Sequence, residues 1–161
     1  MSKKLLLGAA LFAAMATSAP AEGIKFGDLM IMQPTLRATA PGAKVGAGYV
    51  SITNNGTVAE RLVGGGAEFA GKLEVHEMKM ENQVMKMKQL ADGLKIPAGA
   101  TVNLKPGGNH LMFMQLKTAL KAGDHHKAVL VFEKSGRREF TFTVKSIADT
   151  LKMKHSHQVQ D

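Results

Sequence analysis

Cysteine is missing from all 161 residues. Its absence excludes disulfides, thiolate zinc sites, iron–sulfur clusters, thiol catalysis and the copper–thiolate bond on which blue-copper electron transfer depends. Tryptophan is missing too, and one tyrosine, Tyr49, accompanies seven phenylalanines. So few aromatic side chains leave little to stack on bases, and no nucleic-acid partner is expected despite a formal net charge of +8. Long apolar runs are scarce. The one from Leu5 to Ala16 is too short to span a bilayer, so stable membrane insertion is not expected. No nucleophile elbow and no glycine-rich loop opening a helix occurs, and an enzyme is not expected.

The first residues have the layout of a cleaved secretory signal. Lys3 and Lys4 precede the apolar run, and Ala19 and Ala21 place small residues before a cut expected after Ala21. Residues 1–21 are thus expected to be removed during export. The remaining chain stays basic, with lysines alternating with apolar residues as on a solvated sheet face.

Turn signals recur at short intervals, among them Pro41-Gly42, Asn54-Asn55-Gly56, Gly64-Gly65-Gly66, Pro106-Gly107-Gly108 and Ser135-Gly136. Segments with period-two alternation lie between them. In the cleanest, Phe140, Phe142 and Val144 face one way while Glu139, Thr141, Thr143 and Lys145 face the other. Val129 to Phe132 reads as its hairpin partner. No stretch keeps a helical apolar period for three turns. The pattern predicts an all-β single domain over residues 22–149, an antiparallel β-sandwich with Greek-key connections. His125-His126 reads as a solvated turn. Residues 150–161 read as a flexible tail.

The surplus is methionine. Six of the eleven methionines fall between Met78 and Met114. On a strand, residues two apart share a face, so His110 and Met112 can aim at one point while Leu111 and Phe113 enter the core. An imidazole and a thioether together make a soft, neutral donor pair, and thioether sulfur selects copper(I) over zinc, magnesium or calcium. Methionine is also a common gap-filler in cores, so no single residue decides the matter. Two His-x-Met pairs, His76 with Met78 and His110 with Met112, flank a third segment, Met85-Lys86-Met87. That joint pattern favours copper. Glu74, Glu77 and Glu81 read as lone carboxylates on polar edges.

The run from His76 through Val84-Met85-Lys86-Met87, followed by Ile96-Pro97-Ala98-Gly99, Leu104-Lys105-Pro106-Gly107-Gly108 and His110-Leu111-Met112, resembles the periplasmic copper chaperones called PCuAC. Ten residues separate His76 from Met87, and 22 separate Met87 from His110, the second interval being one residue longer than the family's. The resemblance implies a cupredoxin-like β-sandwich in the periplasm that binds copper(I) and hands it to cytochrome oxidase assembly. By position, the ligands it implies are His76, Met87, His110 and Met112. Met78, Met80, Met85 and Met114 match no ligand position and read as core or as a soft rim. The implied partner is a copper-recipient oxidase subunit or its assembly factors, and a monomer is expected. The same site would serve a copper-sequestering or resistance protein, and a metal-free β-sandwich assembly module is the remaining reading.

The tail carries Met153, His155 and His157. Two imidazoles one residue apart on a flexible chain can close on one ion, and nitrogen donors suit copper(II). A second copper(II) site is therefore expected there, beside the reading of a solvated terminus.

Overall fold

Alternating sequences form strands because successive side chains point to opposite faces and only one face can be buried. The computed structural model describes residues 23–153. The expected signal segment, residues 1–21, and the tail residues His155 and His157 lie outside the described residues. Eleven strands and one helix are described: β1 (Ile24–Phe26), β2 (Leu29–Arg37), β3 (Val45–Asn54), β4 (Glu60–Ala67), β5 (Ala70–Glu81), β6 (Val84–Gln89), β7 (Leu94–Ile96), β8 (Thr101–Leu104), β9 (His110–Leu116), β10 (His125–Phe132), β11 (Gly136–Lys145) and α1 (Ile147–Lys152).

Pairing runs β2-β11-β10-β4-β5-β9-β3, and β3 returns to β2, so seven strands close into a barrel-like sheet. β1, β6, β7 and β8 add to β2, β5, β4 and β3 respectively. The expected all-β architecture is present, but it is not antiparallel throughout. β11 lies parallel to β2, with Val144 opposite Leu36. A ring of seven cannot alternate direction all the way round, so closure requires a parallel pair.

The interior is built as alternation dictates. Phe140, Phe142 and Val144 of β11 point inward, as do Leu130 and Phe132 of β10 and Leu111 and Phe113 of β9. The Phe113 and Phe142 rings meet edge-on with centroids 6.2 Å apart, a geometry that suits the ring quadrupoles. Opposite them, the backbone of Gly48 replaces a side chain. A Cβ there would lie 2.7 Å from the Phe113 ring.

Three local expectations are corrected. Gly64-Gly65-Gly66 is not a turn but part of β4, where a Cβ on Gly65 would collide with the Val129 carbonyl of β10. Glycine marks a close strand approach there. His125-His126 is likewise not a turn, because it opens β10. The His126 ring sits 5.0 Å from Phe69. The segment expected to be a tail from Thr150 begins with helix. Ser146 caps α1 by accepting from the Asp149 amide at 3.1 Å, and Thr150 is buried. Six residues are too few to register as helical periodicity. No helix among the described residues is long and apolar enough to cross a membrane.

Candidate metal centre

Register decides which side chains can meet. Residues directly opposite on antiparallel strands share a face. His76 on β5 stands opposite His110 on β9, and Glu74 opposite Met112. On its other side β5 pairs with β6, which places Met87 opposite Met78 and Gln89 opposite His76. His76, Met87, His110 and Met112 therefore lie on one outer face of the barrel, with Met78 and Glu74 among them. Leu73, Val75, Leu111 and Phe113 fill the opposite, inner face. Met78, Met87, His110 and Met112 line one cleft of about 490 Å³, whose other walls include Arg37 and Tyr49. His76 stands beside it, its ring centroid 5.8 Å from that of His110.

The two imidazoles are held in different ways. His110 Nδ1 lies 3.0 Å from the Gly108 carbonyl oxygen. A carbonyl can only accept, so Nδ1 carries the proton and Nε2 keeps its lone pair. Although expected to project from the strand, His110 is only 5% exposed. Burial pushes its pKa below the ordinary 6.5, the Gly108 contact opposes this, and the charges of His76 and Arg37 add to the lowering. Its ring thus stays neutral, and able to donate a lone pair, under more acidic conditions than a free imidazole.

His76 is turned the other way. Its Nε2 lies 2.7 Å from a Glu74 carboxylate oxygen, while its Nδ1 is buried and, among the described residues, has no partner. A carboxylate accepts the Nε2 proton, so in the neutral form of the ring the lone pair lies on Nδ1. Glu74 is also paired with Lys72. The Lys72 ammonium and then His76 hold its carboxyl below the usual range, against the opposing effect of burial. Glu74 is not the lone edge carboxylate expected; it is buried in this network. Its signal was the Glu74-x-His76 spacing, which on a strand puts acid and imidazole on one face. Tyr49 was also missed. Burial raises its phenol pKa, and Arg37 works against the rise.

Among the described residues no group of three or more His, Cys, Asp or Glu gathers as an ion site. The donors on this face are two imidazoles and several thioethers, a set suited to a soft monovalent ion. Of the tail residues, Met153 is the C-cap of α1. Ile147, at the start of that helix, lines the cleft.

This barrel is the fold of PCuAC domains. It is similar to the structure described as "Apo PCuAC domain from PmoF1", at 27% identity and a TM-score of 0.65, over 77% of this chain and 98% of that one. The solution structure of CuI-DR1885 from Deinococcus radiodurans is 28% identical, with a TM-score of 0.56, over 81% and 85% of the two chains. The "Copper-bound PCuAC domain from PmoF2" shares the fold at 22% identity and a TM-score of 0.65, over 77% and 97%. By sequence, residues 29–144 match the family described as "Putative lipoprotein LpqE-like". "Putative lipoprotein Lxx21020" of Leifsonia xyli subsp. xyli is 30% identical over 131 residues, 81% of this chain and 78% of the relative. The chain belongs to the LpqE-like family.

Proposed function

We propose that the protein is an exported copper(I) carrier that holds its cargo through His76, Met87, His110 and Met112. The observation that carries this reading is the shared register of β5, β6 and β9. It gathers two imidazoles with bare ring nitrogens and two thioethers on one face, with no thiolate to oxidise. Copper(I) bound to these four neutral groups leaves a site of net charge +1. Glu74 is a positioning residue in this reading, because its contact with Nε2 fixes the ring of His76 and leaves Nδ1 as the nitrogen able to donate a lone pair. Such outer carboxylates orient imidazole ligands and raise their basicity.

A carrier must release what it binds, and exposure grades the four donors. Met87 is more than half exposed while His110 is buried. A recipient's ligands can therefore displace the Met87 thioether first and the His110 nitrogen last. The recipient proposed is an oxidase subunit or one of its assembly factors, met in the periplasm after removal of residues 1–21. Structural neighbours that carry copper in PCuAC domains support the cargo. The lipoprotein relatives support export. None of the 161 residues is a cysteine, so none can carry the thioether-linked lipid of bacterial lipoproteins. The tail is proposed to add a weaker copper(II) site through His155 and His157, with Met153 next to them.

The test is an anaerobic copper(I) titration against a competing chelator, in the intact chain and in Met112→Leu. This volume-conserving change should cost under about 1.5 kcal/mol of stability while weakening copper binding. Unaltered copper affinity in Met112→Leu with full folding would sink the ligand set. Truncation after Lys152 should reduce copper(II) uptake and leave copper(I) binding as it was.

A further inference from the structure

β5 pairs with β9 only as far as His76 opposite His110. Beyond that point β5 continues to Glu81 with β6 as its ladder partner, so the two strands form an arm running past the barrel. The arm sorts its side chains by face. Met78 stands opposite Met87 and Met80 opposite Met85, all four on the face that carries His76. The other face holds Glu77 opposite Lys88 and Lys79 opposite Lys86. Lys86 is paired there with Glu81 at 3.1 Å.

The methionines at the tip have no core to fill. Met80 is 59% exposed and Met85 44%. Packing, the usual reason for a methionine, does not account for them, and an exposed apolar pair on a two-stranded arm is a liability. Neither residue belongs to the four donors proposed above. Directly opposed residues place their Cβ atoms about 5 Å apart, so flexible thioethers at these positions can close on one ion. The next rung, Met78 with Met87, follows two residues along, about 7 Å nearer the imidazoles.

We propose that Met80 and Met85 form a second, weaker site for a soft monovalent ion. The ion lands at the tip of the arm and passes by way of Met78 and Met87 to the main centre. Only thioether–metal bonds are exchanged, with no change of oxidation state and no proton released. Three features support this: the pairing of sulfur with sulfur across the arm, its shared face with His76, and the confinement of the lysines to the opposite face. The inference rests on the carrier reading for its destination, but the tip site can be tested separately.

The experiment is a silver(I) titration, silver being a redox-silent stand-in for copper(I), of protein carrying carbon-13 labels on its methionine ε-methyls. The first equivalent should move the Met87 and Met112 resonances. The second should move those of Met80 and Met85. Met80→Leu with Met85→Leu should abolish the second step and leave the first unchanged. Stationary Met80 and Met85 resonances in excess silver, while Met87 and Met112 shift, overturn the tip site and leave the carrier reading intact. Shifts at Met80 and Met85 with none at Met87 and Met112 uphold the tip site and remove the carrier reading. The unsubstituted protein supplies these outcomes even if the double variant folds poorly.

Discussion

Glu74 and Glu60 are both buried carboxylates, and each is kept ionised by different donors. Lys72 and His76 do this for Glu74, on the face that carries the proposed site. For Glu60, burial alone would raise the pKa. The Arg61 amide, the Ser135 hydroxyl and the amides of Lys134 and Ser135 bring it below the ordinary 4.5. The contacts from Lys134 and Ser135, at 2.7 to 3.0 Å, fasten β4 to the turn between β10 and β11, while the Arg61 amide, at 2.8 Å, is local to β4. Glu60→Ala should therefore cost about 1–3 kcal/mol at neutral pH by stranding these donors, measured by urea unfolding. The sign of the pH effect follows from the lowered value. Above 4.5 the stabilisation is complete, and it is lost as pH falls through the lower folded-state pKa, because the unfolded chain takes up the proton first. Glu60→Gln should accordingly show a flatter loss of stability below pH 4.5 than the parent. At Glu74 the expected effect is on metal. Glu74→Ala should weaken copper(I) binding about 10- to 100-fold, and Glu74→Gln, which still accepts a hydrogen bond, should recover part of it. The nitrogen-15 shifts of His76 should show Nδ1 losing its bare lone pair in the alanine variant. Unchanged shifts and affinity would leave Glu74 a purely structural residue.

Elements differ in how much of them the sequence discloses. The core-facing part of β11, Glu139 to Lys145, was legible because Phe140, Phe142 and Val144 alternate without interruption, and Val129 to Phe132 follows as its partner across one short turn. The first residues of both strands, from Gly136 and from His125, carry no such alternation and were not. The His110-x-Met112 pair was legible from alternation too, with Leu111 and Phe113 marking the inner face. β4 was not, since its glycines answer to the Val129 carbonyl of β10, a neighbour that local pattern cannot reveal. Burial of Glu74 likewise depends on strand pairing rather than on its neighbours in sequence. The arm tip was missed because Asn82-Gln83 lacks the glycine that usually signals a two-residue hairpin turn. Both residues nevertheless have positive φ, 50° and 65°, a conformation that costs a residue with a Cβ of order 1–3 kcal/mol. Gln83→Gly should relieve part of this cost. It should slow amide hydrogen exchange in β5 and β6 beyond His76 while leaving the barrel strands as they were. Equal exchange rates would show the turn to be unstrained.

For the whole molecule the decisive pairing is the one that closes the ring, Thr35 of β2 with Thr143 of β11. The partners are about a hundred residues apart, and such non-local pairing slows folding, typically to milliseconds or seconds. Refolding followed by far-ultraviolet circular dichroism should fall in that range; a microsecond phase accounting for the whole amplitude would contradict it. Closure also orders events in an exported chain. A polypeptide that emerges N-terminus first delivers β5, β6 and β9 before β11. Phe142, the ring that backs Phe113 beneath the metal face, is among the last core residues to arrive. Until it does, the proposed donors sit on a sheet with no floor, so in the function proposed above the carrier is finished empty and is loaded only after export.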